Sequence, residues 1–104
     1  MIKYLKENEF KQEVLDKKGL VVLDFYADWC GSCQKLGPVF DELESEMNDV
    51  TFIKVNVDDC SNLADEYEIT NIPAILIFKD GSLQEKTVGF KPKVSMTELI
   101  KNFL

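Results

Sequence analysis

Two cysteines separated by two residues, Cys30 and Cys33, are the side chains in this sequence best suited to chemistry. An apolar run over residues 20–27 precedes them and a helical stripe beginning at Leu36 follows, which predicts that they stand at the N-terminus of a helix. Residues three apart in a helix have Cα atoms about 5 Å apart, and a disulfide bridges ~4.4–6.8 Å. The pair is therefore able to form a disulfide.

A helix N-terminus also favours the reactive form of a cysteine. Its unpaired N–H groups and the positive end of its dipole stabilise a thiolate, which is the nucleophile in thiol–disulfide exchange. We therefore expect Cys30 to attack a substrate disulfide and Cys33 to resolve the mixed disulfide that forms.

Two other interpretations of the pair stay open. A structural zinc site needs four ligands, usually Cys or His, and this sequence has three cysteines and no histidine, so we expect no metal. The third cysteine, Cys60, stands alone, and we expect a half-exposed residue with no role. Inert core cysteines are the second alternative, although Trp29 before the pair and Gly31 and Ser32 within it are unlike core packing.

The composition excludes several function classes. The chain has 104 residues with 19 acidic and 12 basic side chains, whereas a nucleic-acid partner would require a basic patch. The absence of histidine excludes Cys–His and Ser–His nucleophile pairs. Residues 1–6 lack the apolar segment of a signal peptide, and no apolar run is long enough to span a bilayer. We expect a cytoplasmic monomer, forming one domain over residues 1–104, with no nucleic-acid or membrane partner.

The first half of the chain alternates helices and strands. A helix is predicted over residues 8–17, and the near-continuous apolar run of residues 20–27 is typical of a strand covered on both faces. The next helix carries one apolar stripe, formed by Leu36, Phe40, Leu43 and Met47. Residues 50–57 form a second predicted strand, after which Asp58 and Asp59 are placed to cap a short helix.

The second half predicts a hairpin and a last helix. Asp80-Gly81 separates the apolar segments 74–78 and 83–88, which indicates two antiparallel strands. The capping-box pattern from Ser95 to Glu98, with Val94 and Leu99 as a hydrophobic staple, predicts that a helix starts there. The whole order predicts an α/β fold with helices on both faces of a mixed sheet, to which Tyr4-Leu5 can add an edge strand.

A resemblance to a known family rests on residues 24–33, Asp24-Phe25-Tyr26-Ala27-Asp28-Trp29-Cys30-Gly31-Ser32-Cys33. This segment resembles the active-site segment of the thioredoxin family, and further family landmarks follow in order: Pro38, Asn56-Val57-Asp58, Ile72-Pro73, Asp80-Gly81 and Val88-Gly89. The resemblance covers essentially the whole chain. It implies the thioredoxin fold, with a five-stranded mixed sheet flanked by four helices, and the activity of a general protein disulfide reductase. Two departures are Ser32, where the family usually has proline, and Tyr26, where it usually has tryptophan.

Asp24 and Lys54 are the candidate acid–base residues. Asp24 lies inside an apolar strand, where an unpaired charge is costly and burial raises the pKa; the alternative is a strand-end acid that reaches water. The resemblance implies that this carboxyl exchanges a proton with Cys33. Lys54 either extends its amine to the edge of the sheet or, as the resemblance implies, lies close to Asp24 and modulates it.

The resemblance also implies a substrate-binding surface. It places a cis peptide bond before Pro73, packed against the cysteines, and a backbone segment at Ile72 that pairs with bound substrate as an added strand. The residues expected on this surface are Trp29, Gly31, Ser32, Ile72, Pro73 and Gly89, with Phe90 beside them.

The partners implied are those of the family. Electrons would enter from a thioredoxin reductase, NADPH- or ferredoxin-linked, and leave to protein disulfides such as those of ribonucleotide reductase, peroxiredoxins and methionine sulfoxide reductases. We expect the chain to carry no cofactor. A disulfide oxidase or isomerase is one alternative, disfavoured by the absence of a signal peptide and of a histidine between the cysteines. A non-catalytic binding module is the other, and it would not require Cys30, Cys33 and Asp24.

Overall fold

Five strands form one mixed sheet with helical segments on both faces, in a computed structural model that describes residues 2–104. The strands are β1 (Lys3–Tyr4), β2 (Leu20–Tyr26), β3 (Val50–Asn56), β4 (Ala74–Lys79) and β5 (Ser82–Val88). The helices are α1 (Gly31–Glu46), α2 (Ser61–Glu66) and α3 (Lys93–Lys101), preceded by an N-terminal helical segment made of a 3₁₀ turn (Glu7–Glu9) and a π-helical turn (Lys11–Leu15). Within residues 2–104, no helix is long and apolar enough to cross a membrane.

The strand order is β1-β3-β2-β4-β5. Strands β1 and β2 run parallel to β3, whereas β4 is antiparallel to both β2 and β5. This confirms the predicted five-stranded mixed sheet, its edge strand at Tyr4, and four flanking helical segments when the N-terminal segment is counted as one. Asp80 and Gly81 form the predicted hairpin turn, both with positive φ (50° and 83°).

Strand β2 is buried on both faces, as its apolar run predicts. Val21, Leu23 and Phe25 face a core formed with the N-terminal segment and α2. Leu20 and Val22 face the other core, which includes the buried stripe of α1 at Leu36, Phe40 and Leu43, and Met96 and Ile100 of α3. Because side chains alternate along a strand, Asp24 points to the α1 face of the sheet.

The start of α2 differs from the prediction. Cys60 immediately precedes the helix, and neither Asp58 nor Asp59 caps it. Instead, the Glu7 carboxylate accepts a hydrogen bond of 2.7 Å from the backbone N–H of Leu63. The backbone N–H groups of Asp58 and Asp59 donate to the Asn56 side chain (2.9 and 3.4 Å), so these residues form the turn before the helix.

The start of α3 also differs. The helix begins at Lys93 after Pro92, whose extended backbone (φ −68°, ψ 163°) serves as the N-cap. The capping box predicted at Ser95 is therefore wrong, because Ser95 already lies inside the helix. The carbonyl of Pro92 accepts a hydrogen bond of 3.0 Å from the N–H of Met96. Val94 is 69% exposed, so the predicted hydrophobic staple does not form.

Candidate active site

Cys30 and Cys33 form a disulfide at the N-terminus of α1, with their Cα atoms 5.3 Å apart. Cys30 is the N-cap, in extended conformation, and Cys33 lies in the first turn. The backbone N–H of Cys33 donates to the Sγ of Cys30 at 3.3 Å. The sulfur thus takes the place that a Ser or Asp oxygen takes at other helix N-termini, and the same amide is aimed at a thiolate when the disulfide is open.

Two further groups lie close to the Sγ of Cys30. The Ser32 hydroxyl lies 3.5 Å away and donates to the sulfur, since a disulfide sulfur carries no proton. The carbonyl oxygen of Ile72 lies 3.8 Å away. The Ile72–Pro73 peptide bond is cis, as the resemblance implies. The N–H of Gly89 (φ +97°) donates to the carbonyl of Pro73 at 2.8 Å, which places Gly89 beside the same loop.

Trp29 is the most exposed large apolar side chain near the pair. It is 72% exposed, and its Nε1 donates a hydrogen bond of 3.0 Å to the Asp58 carboxylate. Phe90 and Val88, which flank Gly89, are 44% and 50% exposed. Gly31 opens α1 directly after Cys30. Exposed apolar side chains therefore stand on the segments on both sides of Gly89 and directly before Cys30.

Asp24 is the buried charged residue of the sheet. It is 1% exposed, and within residues 2–104 its Oδ1 has no hydrogen-bond partner. Burial raises the pKa of Asp24 to about 7; the Lys54 charge acts in the opposite direction, and the Asp41 charge adds to the rise. Asp24 lies inside β2 and is almost fully buried, so the alternative of an exposed acid at the end of the strand is wrong.

A cleft of about 300 Å³ connects Asp24 with Cys33 and with solvent. Its lining residues come from β1, β2, β3 and α1, and they are Tyr4, Asp24, Tyr26, Ala27, Asp28, Cys33, Gln34, Gly37 and Lys54. A space of this size, with Asp24, Asp28 and Lys54 in its lining, is large enough to hold water. Asp24 and Cys33 therefore line one shared cleft.

Lys54 is the partner of Asp24 in the register of the parallel pair β2–β3. Its side chain lies on the same face of the sheet and lines the same cleft. Its amine forms an ion pair with the Asp41 carboxylate (3.3 Å) and lies 5.6 Å from the centre of the Tyr4 ring. Sequence analysis did not identify Asp41. The signal was present, since Cys33, Gly37 and Asp41 are spaced by four and share one face of α1.

Cys60 is buried, so the expectation of a half-exposed residue is wrong. It is 1% exposed, and its Sγ lies 3.6 Å from the carbonyl oxygen of Leu5. The cause is the packing of the α2 start against the segment that follows β1. Burial raises the pKa of this thiol, which disfavours the reactive thiolate.

Within residues 2–104, no three His, Cys, Asp or Glu side chains form a cluster suited to a metal ion.

A close cysteine pair at the N-terminus of a helix, carried by this mixed sheet, defines a thiol–disulfide oxidoreductase. The family model for thioredoxin matches residues 1–102. The chain is 41% identical over 100 residues to a thioredoxin of Mycoplasmoides gallisepticum, which covers 96% of this chain and 100% of the relative. It is 42% identical over 88 residues to a thioredoxin of Bacillus subtilis (84% and 85% covered), and 38% identical over 100 residues to one of Chlamydia trachomatis (96% of each). The chain belongs to the thioredoxin family.

Proposed function

We propose that this protein is a general protein disulfide reductase that a thioredoxin reductase returns to its dithiol form. The observation that carries the proposal is the Cys30–Cys33 disulfide at the start of α1, with the N–H of Cys33 on the Sγ of Cys30. This arrangement stabilises a thiolate on the first cysteine and keeps the second cysteine within bonding distance of it.

The exchange balances in two steps. The Cys30 thiolate attacks one sulfur of a substrate disulfide, the substrate S–S bond breaks, and the released thiolate takes a proton from solvent. The Cys33 thiolate then attacks the Sγ of Cys30 in the mixed disulfide, and the second substrate thiolate leaves. The substrate gains two electrons and this protein is left with its own disulfide, the state that the structure shows.

Asp24 supplies the base for the second step. Cys33 must lose its proton before it can attack, and the histidine-free sequence leaves carboxylates, lysine and tyrosine as bases. A carboxyl with a pKa of about 7 accepts a proton at neutral pH more readily than an ordinary aspartate. The cleft that both residues line supports a transfer through water. Lys54 acts on this step by its charge, which lowers the pKa of Asp24.

Substrates dock around Cys30. The Ile72 carbonyl, 3.8 Å from the reacting sulfur, is placed to accept a hydrogen bond from an extended substrate backbone. Pro73 and Gly89 border this position, and a glycine there lets a partner backbone approach closely. The exposed ring of Trp29 adds apolar contact area. Gly31 and Ser32, the first two residues of α1, form the α1 side of this substrate-binding surface.

The partners follow from this chemistry. The thioredoxin family suggests a thioredoxin reductase and disulfide-containing proteins in general. We propose ribonucleotide reductase, peroxiredoxins and methionine sulfoxide reductases among the substrates, with the protein acting as a cytoplasmic monomer without a cofactor.

A coupled assay tests the proposal. The oxidised protein is mixed with thioredoxin reductase, NADPH and insulin, and NADPH consumption and insulin precipitation are followed together. A parallel arm uses the ferredoxin-linked reductase with reduced ferredoxin as the electron donor and follows insulin precipitation. We expect catalytic turnover in one arm and none with a Cys30→Ser/Cys33→Ser double variant. Failure of both arms, with insulin still reduced stoichiometrically by the dithiol protein, would overturn the reductase link and leave the thiol chemistry intact.

A further inference from the structure

The Lys54 amine has two possible acidic partners and pairs with one of them. Its Nζ lies 3.3 Å from Oδ1 of Asp41, whereas the buried Oδ1 of Asp24 has no hydrogen-bond partner in residues 2–104. Asp24 and Lys54 are nevertheless neighbours in the β2–β3 register and line one cleft. A lysine has a long flexible stem, so rotation of its outer bonds is sufficient to carry the amine from one carboxylate toward the other.

The amine is held on the α1 side by several contacts. It lies against Gly37, because a Cβ built at that glycine would be 3.9 Å from Nζ. Asp41 stands one turn further along α1, and the Tyr4 ring approaches from β1 at 5.6 Å. The Lys54 side chain is 11% exposed and that of Asp41 is 63% exposed, so the lysine end of this ion pair is shielded from solvent and the aspartate end is not.

We propose that Asp41 is a positioning residue, which holds the Lys54 amine on α1 and so keeps its positive charge away from the Asp24 carboxyl. The inference rests on the proposed function in one respect only, namely that Asp24 exchanges its proton with Cys33. Asp41 touches neither the substrate nor the reacting sulfurs and acts through Lys54.

The charges around Asp24 agree with this role. The ionisable groups that face the cleft are Lys54 from β3, Tyr4 from β1, Tyr26 on its own strand, Asp28 after it, and Cys33 from α1. In the residues described, Lys54 is the single cation among them. Its charge lowers the pKa of Asp24 and that of Asp41 raises it, while burial makes the largest contribution.

Removing the Asp41 charge therefore lowers the pKa of Asp24 in two ways. The repulsion that it exerts on the Asp24 carboxylate disappears, and the Lys54 amine is free to approach Asp24. An opposite charge within about 4–6 Å lowers a carboxyl pKa by about 1–3 pH units. Because the Asp41 side chain is 63% exposed, Asp41→Asn leaves no buried cavity and the variant is expected to fold.

The test is a ¹³C NMR titration of the Asp24 carboxyl in the oxidised protein. We expect Asp41→Asn to lower the pKa of Asp24 by about one pH unit or more, and Asp41→Glu to restore it. Glu42→Gln is the matched control, since it removes one negative charge from the same helix at a residue that pairs with Lys93. An unchanged Asp24 titration in Asp41→Asn, or an equal shift in the control, would overturn the proposal.

A second pair of variants separates positioning from direct repulsion. In a Lys54→Met background only the direct repulsion remains, so Asp41→Asn should shift the Asp24 titration clearly less than it does with Lys54 present. An equal shift in both backgrounds contradicts positioning. The pH profile of insulin reduction separates this inference from the proposed function. If the Asp24 titration moves while that profile does not, the positioning role stands and the proton-transfer role of Asp24 is wrong.

Discussion

The backbone N–H of Cys33 lies 3.3 Å from the Sγ of Cys30, so the cysteine that we propose as the resolving one donates a hydrogen bond to the sulfur that it would attack. The bond forms because Cys30 is the N-cap of α1 and Cys33 is the third residue after it, the position whose amide an N-cap side chain normally binds. One local geometry therefore serves two needs. It stabilises the attacking thiolate and brings the two sulfurs together.

The Ser32 hydroxyl should make this protein less reducing than a proline would. It lies 3.5 Å from the Sγ of Cys30 and can donate to the thiolate more strongly than to the disulfide. Ser32→Pro removes that donor, so we expect its dithiol–disulfide equilibrium with glutathione to shift toward the disulfide by about tenfold, or about 30 mV.

Ser32→Ala is the matched control, because it removes the hydroxyl without fixing φ. The alanine variant should show part of the shift toward the disulfide that we expect for Ser32→Pro. A proline variant no more reducing than the wild type would contradict the role assigned to this hydroxyl.

Asp24→Asn should slow insulin reduction at neutral pH. A positioned acid–base group contributes about 10²–10⁴-fold to a rate, and water in the cleft replaces part of this, so the loss should fall toward the lower end of that range. Asp24 accepts a proton only when ionised. The wild-type rate should therefore rise with pH through about 7, and this rise should be absent from the variant. Parallel pH profiles of the two proteins would exclude Asp24 as the base.

The same substitution should stabilise the fold, and by an amount that depends on pH. The pKa of Asp24 is about 7 in the folded protein against an ordinary value of 3.8, so the folded state binds the proton more tightly and the ionised carboxyl destabilises it. The stabilising contribution of the protonated acid is fully present below about pH 4 and is lost as the pH rises to 7. Above that pH the cost reaches roughly 4 kcal/mol at most.

Urea unfolding of the oxidised proteins measures this effect. The advantage of Asp24→Asn over the wild type should be largest at pH 8 and should shrink toward pH 4. A difference independent of pH would show that Asp24 titrates alike in the folded and unfolded chains.

Cys60 should be unreactive while the protein is folded. It is buried against Leu5 and its pKa is raised, so iodoacetamide should alkylate Cys30 of the reduced protein and reach Cys60 only in urea. Peptide mass spectrometry gives both rates, and Cys60→Ser should keep full reductase activity. Alkylation of Cys60 as fast as that of Cys30 in native buffer would contradict the buried position.

The elements that local sequence determines were predicted well. The uninterrupted apolar run of β2, the stripe of Leu36, Phe40 and Leu43, and the Asp80-Gly81 turn each carry their own signal, and the structure has all three. The start of α2 could not be predicted in this way, because its cap is Glu7, 56 residues before Leu63. At α3, the fixed φ of Pro92 starts the helix ahead of the Ser95 capping pattern.

In the candidate site, too, the features with a local sequence signal could be predicted, and those that depend on tertiary packing could not. The spacing of Cys30 and Cys33 and the unusual position of Asp24 are visible in the sequence alone. The pairing of Lys54 with Asp41 instead depends on how α1 crosses β3, and the burial of Cys60 on how α2 packs beside β1, so neither follows from local pattern.

Trapping the mixed disulfide tests the central claim most directly. Cys30→Ser and Cys33→Ser proteins are each incubated with oxidised insulin or a cell extract, quenched with acid and analysed by non-reducing electrophoresis and mass spectrometry. The account predicts that the Cys33→Ser protein accumulates mixed disulfides through Cys30, while the Cys30→Ser protein captures none. The assignment of the nucleophile would be contradicted if the Cys30→Ser protein captured substrates through Cys33 while the Cys33→Ser protein captured none through Cys30.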